Sequence, residues 1–155
     1  FGKISDQEWR DTLKLLDFLS SKGEVILIKG NHDAILGPIA EKRNIKIIDY
    51  YNIDDITILH GNKILKGLRN ILIIAHEHPA ISFRERPDEK FKCFLLGKWK
   101  RKILIVQPSF NLIIEGTDVK KESLLSPFLQ QSLDNFNCYV VEDKIYNFKK
   151  LKNIK

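Results

Sequence analysis

The stretch Ile71-Leu72-Ile73-Ile74-Ala75-His76-Glu77-His78-Pro79 decides how this chain is read, because an apolar run suited to a buried strand ends in two histidines separated by one residue. An unbroken run of β-branched and leucine side chains fits a strand covered on both faces, as in parallel sheets flanked by helices. In an extended chain, side chains at i and i+2 share a face, with Cα atoms roughly 6 to 7 Å apart. Both imidazoles are then expected to reach one pocket, serving a single metal ion or one each of two. In isolation the pair reads more simply as two solvated loop histidines.

Working outward, the chain has four histidines, His32, His60, His76 and His78, and each lies at or just beyond the end of a predicted apolar strand. Ligands of open α/β sheets collect at the carboxyl ends of strands. In Gly30-Asn31-His32-Asp33 the glycine permits a sharp turn, the Asn31 amide oxygen can ligate a metal, and the His32 imidazole can donate a proton. Asp33 could orient that imidazole, although Asn-His-Asp is equally ordinary turn and N-cap chemistry. His60-Gly61 alone reads as a satisfied histidine beside a turn glycine. The three motifs in this order, each closing a strand, together favour a metal site.

The rest of the chain supplies an α/β frame. Ser5 and Glu8 form a capping box, and Trp9, Leu13, Leu16 and Leu19 recur at helical spacing, which predicts a helix over 6–21. Strands are predicted over 24–29, 45–49, 56–61 and 70–75, with a short helix over 39–43. Later, 91–96 and 102–107 flank a basic turn, a helix is predicted from Ser126 to about Asn135, and 137–141 with 144–148 form a last hairpin. The tail from Lys149 to Lys155 reads as a frayed terminus.

With 155 residues and 43% hydrophobic composition the chain fits one domain, 1–155, with a real core. Its net charge of +6 favours phosphates, nucleic acid or anionic membranes without choosing among them. Cys93 and Cys138 lack C-x-x-C spacing, read as buried small hydrophobes, and suit a reducing cytosol. No apolar run has the length of a membrane span, and no signal-peptide pattern occurs, so a cytoplasmic protein with no membrane partner is expected.

Taken together, Gly30-Asn31-His32-Asp33, His60-Gly61 and Ala75-His76-Glu77-His78 resemble the motifs of calcineurin-like metallophosphoesterases. The closest resemblance is to the archaeal branch related to SbcD-type nucleases, with weaker support from Lys92-Cys93-Phe94-Leu95, Pro108-Ser109-Phe110-Asn111 and Gly116-Thr117-Asp118. The resemblance implies a four-layer αββα sandwich of two mixed sheets. It also implies two divalent metal ions, manganese first, with iron, zinc or nickel as alternatives. Asn31, His60 and His76 would hold one metal and His78 the other, while His32 would protonate the leaving oxygen or stabilise the transition state.

Two departures accompany the match. Ala75 stands where many members have glycine, and the family's D-x-H and G-D segments, which bring the first ligands and a bridging aspartate, do not occur before Asn31. An N-terminally shortened chain lacking its first strands is therefore expected, or one whose site a second polypeptide completes, with a weak metal site in isolation.

The reaction expected is hydrolysis of a phosphomonoester or phosphodiester, of a nucleotide or nucleic acid. The alternative is a noncatalytic protein-binding scaffold of the same fold. Arg84, Arg86, Ser109 and Asn111, with Ser82, are candidate substrate-binding residues. Lys98-Trp99-Lys100-Arg101-Lys102 could grip a nucleic-acid backbone with Trp99 stacked on a base, or be a solvated hairpin tip.

Overall fold

Ser5 starts the first helix as its spacing from Glu8 requires. Its hydroxyl accepts the Glu8 N–H at 3.2 Å, and the Glu8 carboxylate accepts the Ser5 N–H at 2.8 Å. The computed structural model describes residues 5–33 and 36–154. Contacts divide the chain into two compact units, Phe1–Tyr51 and Asn52–Lys155.

In the first unit, α1 (Asp6–Ser20) buries Leu16 from its apolar stripe, while Leu19 stays 39% exposed. Strand β1 (Ile26–Ile28) leads through the Gly30–Asp33 loop to α2 (Leu36–Glu41) and then to β2 (Lys46–Ile48), which pairs with β1 in parallel. This is a short βαβ unit, shorter at both strands than the apolar runs suggested. The short β3 (Tyr50–Ile53), not foreseen from the sequence, follows at once and spans the division between the units.

The second unit is built on a mixed sheet. Its strands are β4 (Ile56–Leu59), β5 (Ile71–Ile74), β6 (Pro79–Phe83), β7 (Arg86–Trp99), β8 (Lys102–Val106), β9 (Thr117–Asp118), β10 (Asn137–Val141) and β11 (Ile145–Lys150). The main sheet runs β11-β10-β7-β8-β5-β4-β3, with β4, β5 and β8 mutually parallel. A smaller sheet pairs β6 antiparallel to β7 and parallel to β9.

Strand β7 serves both sheets. Phe91 and Lys92 lie opposite Ile81 and Ala80 of β6, whereas Cys93 to Leu96 lie opposite β10. The opening stretch behaves as a strand between two parallel neighbours: Leu72 and Ile74 are fully buried and Ile71 and Ile73 half-buried. Leu72 and Ile74 join Leu104, Val106, Leu95 and Cys93 in the core. Cys93 and Cys138 are free, buried thiols. No helix among the described residues is long and apolar enough to cross a membrane.

Three expectations are corrected. The helix from Ser126 to Asn135 does not form, because the chain satisfies its backbone by other means. Its bonds are short-range turns, Leu129 N–H to Ser126 O at 3.0 Å and Phe136 N–H to Leu133 O at 2.8 Å. Gln130 and Gln131 side chains donate to the Leu124, Phe128 and Lys98 carbonyls. Ser132, Asp134 and Asn135 favour such turns over a helix interior. The irregular segment still buries Phe128, Leu129, Leu133 and Phe136 against the sheet.

Nor is the tail frayed. Lys149 and Lys150 end β11, and Leu151 and Ile154 are 2% and 7% exposed, anchored in the same core. Trp99, read either as a ring free to stack on a base or as part of a solvated hairpin tip, is instead 8% exposed with its ring 4.8 Å from that of Phe128. The hairpin itself forms, with Trp99 opposite Lys102 and Lys100 in the left-handed region.

Candidate functional site

Parallel pairing brings the exits of β4, β5 and β8 to one edge of the second unit. Beyond the last β4–β5 pair, the His60 carbonyl accepts the N–H groups of both Ala75 and His76, at 3.0 and 2.8 Å. The two histidine loops are thus bonded backbone to backbone. Gly61 makes this approach possible: its φ is +103°, and a Cβ there would lie 2.8 Å from the Ile74 Cβ.

The rings follow the backbone. His76 Nδ1 lies 3.0 Å from His60 Nε2, with ring centroids 4.8 Å apart and planes inclined at 64°. At this distance the nitrogens share a proton when one is protonated. It also suits adjacent ligands of one ion, since imidazole nitrogens at 2.0–2.1 Å from a metal stand about 2.9 to 3.4 Å apart. Two donors therefore fit one edge of a metal site. Among the described residues no group of three or more His, Cys, Asp or Glu is arranged to hold a metal ion.

His78 departs from the expected extended geometry. Strand β5 ends at Ile74, and His76 and Glu77 form a turn, so the alternation that would align i and i+2 side chains no longer applies. His78 itself has φ 50°; its N–H donates to Ala75 O at 3.2 Å and its carbonyl accepts from Thr117 N–H at 3.0 Å. Gly116 abuts that carbonyl so closely that a Cβ would lie 2.3 Å from it.

Burial, then the positive charge of Lys92, hold the His78 imidazole pKa below its ordinary value, against the opposing charge of Glu77. Lys92→Met is accordingly expected to raise that pKa. Imidazole proton shifts followed by NMR across a pH titration check it, and an unchanged or lowered midpoint would remove Lys92 from the account.

Two residues that the sequence reading missed hold this edge together. Glu77 is 3% exposed, and its Oε2 accepts the N–H groups of Leu125 and Ser126 at 2.9 and 2.7 Å. The Ser126 hydroxyl donates to Gly61 O at 2.8 Å. One serine therefore ties the His60 loop to the His76–His78 loop. An acidic residue between two histidines was the available signal for Glu77; Ser126 was marked in the sequence only as a helix start.

In the first unit, Asn31 and His32 are exposed at the carboxyl end of β1. Asp33 closes their loop, its Oδ2 accepting the Gly30 N–H at 2.7 Å. This is turn chemistry, one of the two readings of Asp33 that the sequence left open.

The substrate candidates fall in different places. Arg84 and Arg86 lie at the tip of the β6–β7 hairpin, where Arg86 pairs with Glu89 at 3.2 Å. A strand's length, roughly 20 Å, separates Arg84 at that tip from His78. Ser82 is buried, with its N–H and its hydroxyl both donating to the Asp118 carboxylate. Ser109 and Asn111 follow β8 at the histidine edge and shape their own turn. Ser109 Oγ accepts the Asn111 N–H at 3.1 Å, and Asn111 Oδ1 accepts the Ile113 N–H at 2.9 Å.

No protein-family model matches the chain, and no curated protein matches it. Among solved structures it is similar to the nuclease MPE of Pseudomonas putida, with a TM-score of 0.59 and 16% sequence identity, over 88% of this chain and 60% of that one. The likeness shows the fold, in keeping with the calcineurin-like α/β class expected from the histidine motifs. The chain spans 60% of the length of that nuclease.

Proposed function

We propose that this chain forms part of a metal-dependent phosphoesterase of the calcineurin-like superfamily, in the archaeal SbcD-related branch, cleaving a phosphoester of a nucleotide or nucleic acid in the cytoplasm. The observation that carries the reading is the His60–His76 nitrogen pair at 3.0 Å, set at the carboxyl ends of parallel strands in a fold shared with a nuclease. His60 and His76, with Asn31, would hold one divalent ion, and His78 a second. Bound ions would supply the charge that stabilises phosphoryl oxygens, manganese being the first candidate before iron, zinc or nickel.

His32 would donate a proton to the departing oxygen, with Asp33 fixing the loop that carries it. Ser109 and Asn111 would line the approach to the phosphate, and Arg84 and Arg86 would meet only an extended substrate. Asn31, His60 and His76 would leave the first ion short of a carboxylate and His78 alone cannot hold the second, so the remaining ligands would come from a carboxylate-bearing segment in the same polypeptide or a second one.

Manganese-dependent hydrolysis is assayed on the complete natural polypeptide with single- and double-stranded DNA, RNA, cyclic nucleotides and a small monoester. Cleavage of a nucleotide or nucleic acid is expected, and weak or absent turnover by residues 1–155 alone. Cleavage of the small monoester only would sink the substrate class. Inactivity of the complete polypeptide on all of them would leave the binding scaffold as the reading.

A further inference from the structure

A cavity beside the β6–β7 hairpin gathers three cationic side chains away from the histidines. Strands β6 and β9 pair through Ala80 and Asp118, and the buried Asp118 carboxylate fixes the segments that follow each strand. Its Oδ2 accepts the Ser82 N–H at 3.0 Å, and its Oδ1 accepts the Lys120 N–H at 3.0 Å. Lys121 Nζ crosses to the Pro87 carbonyl at 3.3 Å, which ties the second segment to the hairpin.

Between these segments lies a cavity of about 410 Å³, lined by Ser82, Phe83, Arg84, Pro87, Lys120 and Lys121. That volume is in the range of small-molecule sites. Among the described residues its lining carries no carboxylate, so its charge is of one sign. Arg84 has no hydrogen-bond or ion-pair partner among the described residues, and its guanidinium donors are available. Lys121 bonds only Pro87 O and Lys120 only Ile154 O through their ammonium groups, which leaves each with donors to spare. Phe83 supplies an apolar wall, held against Phe91 and Phe148 at centroid distances of 5.3 and 4.9 Å.

We propose that this cavity binds a small organic phosphate, with its phosphoryl group on Arg84, Lys120 and Lys121 and its organic part against Phe83 and Pro87. The site stands a strand's length from His78, and the inference goes beyond the phosphoesterase reading without resting on it. A guanidinium and two ammonium groups around one cavity suit a compact dianion. An extended nucleic-acid strand fits less well, because its further phosphates would meet Glu85, Asp88 and Glu89, all exposed at the hairpin tip.

The test is titration of the complete polypeptide with phenylphosphonate, divalent metal being chelated, followed through backbone amide shifts by NMR. Saturable shifts are expected at Phe83, Arg84, Lys120 and Lys121, and inorganic phosphate is expected to bind more weakly for want of the apolar contact. Arg84→Gln and Lys121→Gln should each weaken phenylphosphonate binding about tenfold. Lys144→Gln removes the same charge beside Tyr146 and should leave the affinity unchanged. Shifts confined to the histidine edge, no saturation, equal losses in all three variants, or unchanged affinity in Arg84→Gln would overturn the proposal. So would inorganic phosphate binding as tightly as phenylphosphonate, or an oligothymidylate shifting these amides where phenylphosphonate does not. Phenylphosphonate has no phosphoester bond and the assay holds no free metal, so binding here and hydrolysis at the histidines succeed or fail separately.

Discussion

His76→Ala is expected to reduce metal-dependent phosphoester hydrolysis by at least about a thousandfold, equivalent to about 4 kcal/mol. It should also abolish measurable manganese binding at the His60 side. The substitution removes a ring nitrogen 3.0 Å from His60 Nε2 but keeps the backbone N–H that donates to His60 O. Loss of function should therefore come without loss of fold. Steady-state kinetics on the complete polypeptide, with calorimetric manganese titration and a thermal melt, separate the two. Unchanged manganese affinity together with unchanged turnover would remove His76 from the site.

Phe128→Ala is the second large effect, expected to cost about 3 to 5 kcal/mol of stability. Phe128 is fully buried, packs on Trp99 at 4.8 Å, and lies in a segment with no helix ladder of its own. Apolar burial is what orders that segment, and the same segment presents the Leu125 and Ser126 amides to Glu77. Denaturant unfolding should show the lost stability, and hydrogen exchange should show those two amides exchanging faster. A loss below about 1 kcal/mol would mean that the core closes over the gap and that the segment is held by its polar contacts instead.

Elements governed by local rules were legible in the sequence. Ser5 and Glu8 cap α1 as read, and the apolar run ending at Ile74 is a central strand with parallel neighbours. His60 and His76 meet, as the family resemblance implied. What was hidden depended on tertiary partners. Ser126-Pro127 has the form of a helix start, yet glutamine side chains and turn bonds take the place of the helical ladder. The lysines after Phe148 suggested a solvated tail, but Leu151 and Ile154 find space in the core. The spacing of His76 and His78 could not disclose the turn at Glu77, which depends on amides of residues 125 and 126 far along the chain.

The bond network among Glu77, Ser126 and Gly61 bears on the thermodynamics of ligand capture. Fixing a residue's backbone costs roughly 1–2 kcal/mol in lost entropy. Through this network the loops of His60 and His76 incur that cost when the chain folds, not when an ion or a phosphate arrives. Their imidazoles wait in place, so little of a ligand's interaction energy would be diverted into ordering the protein around it.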